Sequence, residues 1–124
     1  MLPFIRLCES LERKLGRGWP AGVYAVKSLL SECMMLPAYY VQARDGKGMF
    51  KKFTFNEARR DFTPEEWQSM DDVSTIREHW AAWAGPSEKL FPGARVAPVL
   101  ESHLSPALLG AMIHLTDTAR KKIG

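Results

Sequence analysis

The chain has 124 residues and a mass of 14.0 kDa, with 46% apolar and 25% charged residues, a formal charge of +3 and a pI near 9.0. That length suffices for one hydrophobic core and falls short of two ordinary domains, and the composition excludes the low-hydrophobicity signature of a disordered chain, so a single domain over residues 1–124 is expected. The most apolar stretch, Val23 to Val41, is interrupted by Lys27, Glu32 and Pro37, which excludes the roughly 20 unbroken apolar residues of a bilayer span.

The N-terminal sequence MLPFIRLCESL carries no basic segment ahead of an apolar run and no small-residue cleavage site, so no membrane association and a cytoplasmic location are expected. From residue 3 to residue 15 the pattern predicts an amphipathic helix. Phe4, Leu7, Cys8, Leu11 and Leu15 share one face, Arg6, Glu9 and Arg13 lie opposite, and Gly16 is placed to end it. After the turn GRGWPAG a second, more central helix is expected over 21–36, through Val26, Leu30, Cys33 and Met34. The two cysteines, Cys8 and Cys33, both fall on apolar stripes, where a reduced thiol packs as a small hydrophobe.

Pro37 lacks the N–H a helix interior needs, so the second helix either kinks there and continues through Ala38 to Arg44 or stops at Leu36. The alternative for the next segment is a short hairpin around residues 39–53, turned at Asp-Gly. Thr54 and Glu57 have the spacing of a capping box, which favours helix and predicts a start at Phe55. A second capping box, Thr63 with Glu66, has Pro64 at the first helical position and a Phe62/Trp67 staple, and Gly85-Pro86 is a stop signal. Between those ends Trp67, Met70, Val73 and Ile76 recur every third residue, a drift that a straight α-helix does not keep on one face. A break near Asp71-Asp72 is therefore expected, with a longer helix carrying Trp80 and Trp83. Short helical turns at 87–91 and 98–102 are expected, then a last helix from Ser105, with Pro106 at its first position and Arg120, Lys121 and Lys122 at its dipole-favoured end.

Charge is segregated along the chain. Residues 44–60 hold six basic and two acidic residues, and residues 61–78 hold six acidic and one basic. In YYVQARDGKGMFKK basic residues interleave with aromatic ones, the composition of sites that track phosphates and stack on bases. Tyr39, Tyr40, Arg44, Lys51 and Lys52 are thus candidate ligand-binding residues, together with Trp80 and Trp83, which a bundle core also explains. No CxxC, HExxH, GxxxxGK[ST] or GxGxxG motif is present, and His79, His103 and His114 have no nucleophile or carboxylate at a recognisable spacing. No catalytic residue, metal or cofactor is expected. The layout of a central helix ending in AYY, a loop, and FTFNEARRDF resembles the small helical modules that accompany minimal nucleotidyltransferases. The resemblance implies an accessory role beside an enzyme, whereas the Arg-x4-6-His ribonuclease signature of related helical domains is missing, since seven residues separate Arg95 from His103.

The expectation is an all-α bundle of about five helices, with a core drawn from Phe4, Leu7, Leu11, Val26, Leu30, Met34, Val73, Ile76, Trp80, Trp83, Leu108 and Met112. Functionally it is a non-enzymatic interaction module that binds a protein partner or a second copy of itself through the charge-segregated surface. The alternative is a small helical domain that binds a ligand, a nucleotide or a nucleic acid in a pocket between the Tyr39/Tyr40 end and the tryptophan helix.

Overall fold

The chain is all-α in the computed structural model, which describes residues 2–46, 51–85 and 94–124, residues 51 and 52 by their backbone alone. Its first helix, α1 (Leu2–Leu15), buries the predicted stripe Phe4, Leu7, Cys8, Leu11 and Leu15, and ends where the Gly16 N–H donates to the Glu12 carbonyl at 3.0 Å. Gly18 then takes φ +88°, a left-handed turn that a side chain would strain, and returns the chain into α2 (Val23–Cys33).

α2 stops three residues earlier than expected, and the reason is Pro37. The Cys33 carbonyl has no N–H to accept from four residues on, so the chain makes a turn at Met34 and Met35 and restarts as α3 (Leu36–Asp45), with Pro37 in the first turn where no helical donor is needed. Gly46, at φ 76°, caps α3 through its N–H to the Gln42 carbonyl at 2.8 Å. Helix thus continues after a kink, and the hairpin alternative is overturned, because residues 39–45 belong to α3 and residues 51–53 to the next helix, α4 (Lys51–Arg59). The expected start at Phe55 is also corrected: α4 begins four residues earlier, which places Thr54 inside it, 2% exposed, rather than at its cap.

The Thr63 capping box forms as read. Thr63 Oγ1 accepts from the Glu66 N–H at 3.1 Å, and the Thr63 N–H donates to Glu66 Oε1 at 2.8 Å. The Phe62 and Trp67 rings meet at 5.3 Å. From there α5 (Pro64–Glu78) runs without the break expected at Asp71-Asp72, and the interruption comes at His79, before α6 (Trp80–Ala84) and its stop at Gly85. The three-residue drift is tolerated because α5 is covered on several sides. It packs on α2 and on α8 (Pro106–Ile123), and Trp67 takes the Phe55 ring of α4 at 5.3 Å. The turn expected at 98–102 is α7 (Pro98–Glu101), and the one expected at 87–91 lies outside the described residues.

Ser105 caps α8, its Oγ accepting from the Leu108 N–H at 3.0 Å. The described residues hold no strand. An isolated antiparallel bridge joins Gly22 to Arg95 and, with the Val23 N–H on the Ala94 carbonyl at 2.8 Å, ties the start of α2 to the segment before α7. One apolar cluster runs through the molecule. Ten of the twelve expected core residues are buried in it, while Met34 and Trp83 pack against it and remain partly exposed. No helix among the described residues is long and apolar enough to cross a membrane.

Candidate interaction surface

Of the candidate binding residues, the structure brings Tyr40 and Arg44 together. They sit one turn apart on α3, above the Arg60 to Phe62 turn. Arg44 Nε and Nη2 donate to Asp45 at 2.8 and 2.9 Å, Nη2 also to Glu57 at 2.9 Å and Nη1 to Asp61 at 3.1 Å, so all three nitrogens are engaged by carboxylates. Tyr40 is 3% exposed, packs its ring between Phe4 and Phe62, and donates its hydroxyl to the same Asp61 oxygen at 2.6 Å. Burial, reinforced by the Asp61 hydrogen bond, pushes the phenol well above its ordinary pKa. Burial also raises the Asp61 carboxyl, but the Tyr40 hydroxyl and the Arg44 guanidinium together outweigh it and hold that carboxyl below its ordinary value. This cluster fastens α3 to α4 and to the turn before α5. Tyr39, partly buried, faces a different cleft, and the side chains of Lys51 and Lys52 lie outside the described residues.

The charge asymmetry read from the sequence folds back on itself. Arg59 pairs with Asp71 at 2.7 Å, Arg60 with Glu57 at 3.2 Å and Arg44 with Asp61 at 3.1 Å, so basic residues of 44–60 are met by acids of their own segment and of 61–78. Such pairs hold neighbouring elements in register while contributing little each to stability.

Trp80 and Trp83 lie away from Tyr40, on α6, which packs on α5 and α7. Trp80 is buried under the cationic ends of Arg77 and Lys27, at 5.8 and 6.0 Å from its ring. Trp83 is stacked between two imidazoles, His79 at 4.6 Å and His103 at 3.9 Å. A cleft at the α2/α3 kink is lined by Met34, Met35, Pro37 and Phe55, with none of Tyr39, Tyr40, Trp80 or Trp83 in its wall.

A face that the sequence reading only half saw lies along α1. At about 100° per residue, Arg6, Ser10, Arg13, Lys14 and Arg17 fall within roughly a third of a turn of one another; Glu9 lies at the edge of this face beside Arg13 and Glu12 further round, and Arg120 of α8 takes these two carboxylates at 3.9 and 3.0 Å. All four of these cationic residues are exposed. Beside this rim lie two clefts that share Glu32, one of about 360 Å³ between α1 and Tyr39 of α3, with Leu7 in its wall, and one of about 430 Å³ between the Lys14 to Pro20 segment and α2, with Trp19, Ala25 and Leu29 in its wall. Glu32 marks the waist, accepting from the Ser10 hydroxyl and from Lys14 Nζ at 2.8 Å. The Trp19 indole is fixed by its Nε1 donating to the Ser105 carbonyl at 2.8 Å. The signal for this face in the sequence was the spacing of its cations; what it borders depends on how α2 packs.

Among the described residues no group of three or more His, Cys, Asp or Glu side chains is gathered as a metal site. Both thiols are free and buried, and burial pushes each up to about 12. Comparison of the chain with protein-family models, with curated proteins and with solved structures gave no match.

Proposed function

We propose that this protein is a non-enzymatic helical interaction module that binds a protein partner through the α1/α2 face. The observation that carries the reading is the exposed basic rim of Arg6, Lys14 and Arg17 beside two apolar-floored clefts, a pairing of steering charge with burial capacity. The positive charge that steers is then on α1 rather than in residues 44–60, whose described arginines, Arg44, Arg59 and Arg60, all pair with nearby carboxylates. Two buried, protonated thiols fit a reducing cytoplasmic setting.

The test is site-resolved photo-cross-linking in the source cells, with benzoylphenylalanine at Ser28 on the α2 side of the face or at the exposed position Gln68 of α5. One protein cross-linked from Ser28, not from Gln68, and lost on Arg6→Glu/Arg17→Glu, supports the reading. Equal or absent labelling at both positions overturns it. The nucleotide or nucleic-acid alternative is tested by tryptophan emission against a panel of nucleotides and RNA oligomers, where a saturable change would put it first.

A further inference from the structure

We infer that the α1/α2 groove is the seat of an acidic amphipathic helix supplied by another protein, with one apolar anchor in each cleft. The inference rests on the interaction-module reading and names the chemistry of its partner. α1 is 14 residues long, about 20 Å; Arg6 lines one cleft, and Arg17, 11 positions on and just past the end of α1, lines the other. An incoming helix laid along the groove therefore presents residues at i and about i+11 on one face, the spacing that returns to the same side after three turns.

The wells are built in advance. Gly18 turns the chain in its left-handed conformation, and the hydrogen bond from Trp19 Nε1 to Ser105 holds the indole as the wall of the larger well, so little ordering remains for binding to cost. Each well, at about 360 and 430 Å³, is an open cleft in the size range of small-ligand sites and has room for an apolar side chain.

Charge selects the occupant. Among the described residues Arg6 and Arg17 make no ion pair, and Lys14 shares the groove's acid, Glu32, with Ser10. The rim thus offers net positive charge to glutamates or aspartates flanking the anchors. The same Glu32 disfavours a nucleic-acid strand, whose phosphates would pass a carboxylate at the waist between the two wells. A second copy of this chain fits poorly too. Its most acidic helix, α5, buries Trp67, Met70, Val73 and Ile76 in its own core and has no apolar anchors to offer.

The probe is a fluorescein-labelled 16-residue peptide, rich in glutamate and alanine, with leucines at positions 3 and 14, titrated with the full chain and followed by anisotropy. The controls are a composition-matched peptide with the leucines on opposite faces and a labelled 16-nucleotide poly(U). Saturable binding of the first peptide is expected, with at least a tenfold loss for Arg6→Glu/Arg17→Glu and for Ser28→Tyr, which fills the larger well from an exposed position. Circular dichroism and melting temperature should stay unchanged in both variants. Equal binding of the two peptides, preferential binding of poly(U), or a dimer in sedimentation velocity that Arg17→Glu dissociates would each overturn the inference. If no peptide binds while the Ser28 cross-link persists, the occupant proposed here is wrong and the interaction module stands; if both fail, both fall.

Discussion

The indole of Trp83 and the imidazole of His103 stack face to face, centroids 3.9 Å apart and planes 5° from parallel, although they lie 20 positions apart in the chain. With His79 on the other face of the indole at 4.6 Å, the stack joins the end of α5, all of α6 and the turn after α7. His79 is itself held, its Nδ1 2.9 Å from the Thr75 carbonyl. Aromatic pairs of this kind contribute about 0.5–1.5 kcal/mol beyond the area they bury. His103→Ala should therefore lower unfolding stability by about 1 kcal/mol, and His103→Phe should restore most of it. Urea midpoints of the three proteins check this, and an equal loss in both variants would show that the stack contributes nothing specific.

The Tyr40, Arg44 and Asp61 cluster predicts a defined acid limb. Asp61 titrates lower in the folded chain than in the unfolded chain, so the unfolded state binds the proton first as pH falls. The stability this group contributes is complete above the ordinary carboxylate pKa and is lost as pH drops through the folded value. The difference in unfolding free energy between wild type and Asp61→Asn should be constant from about pH 8 to 5 and shrink below about pH 4. A difference that stays flat down to pH 2.5 would show that the carboxylate's charge is not what the cluster uses.

Cys8 and Cys33 are both fully buried, and burial pushes each thiol up to about 12. The reactive species is the thiolate, so neither should react with an aromatic disulfide reagent at pH 8 until the chain opens. Labelling should follow the global unfolding equilibrium, and both sulfurs should appear together in a urea titration. Fast modification of either in the native protein would mean that α1 or α2 opens locally.

What could be read from the sequence was local chemistry. The Thr63 to Glu66 box, the Phe62 to Trp67 staple, the Ser105 cap and the apolar stripe of α1 each depend on residues within a few positions of one another, and each formed. What could not be read depended on neighbours from elsewhere. The drift of Trp67, Met70, Val73 and Ile76 implies a break only for a helix with one buried face, whereas α5 is covered from α2, α4 and α8 and the interruption falls at His79. The charge blocks were plain in the sequence, yet only the fold shows Arg59 on Asp71, 12 residues on. The α1 rim was visible as Arg6 and Arg13 opposite a stripe; the groove needed α2 beside it.

Thr54 and Thr63 test that distinction directly, since the same capping pattern was read at both and only one is a cap. Thr63 Oγ1 accepts from the Glu66 N–H at an exposed helix start, and serine offers the same acceptor, so Thr63→Ser should be within about 0.3 kcal/mol of wild type while Thr63→Val loses about 1 kcal/mol. Thr54 is 2% exposed inside α4, so its methyl group is enclosed and Thr54→Ser should cost about 1 kcal/mol through the void it leaves. The two serine variants, compared by urea unfolding, should therefore separate. If Thr54→Ser is as mild as Thr63→Ser, position 54 is not packed as the fold has it; if Thr63→Ser is the costlier, the staple rather than the hydroxyl cap fixes the start of α5.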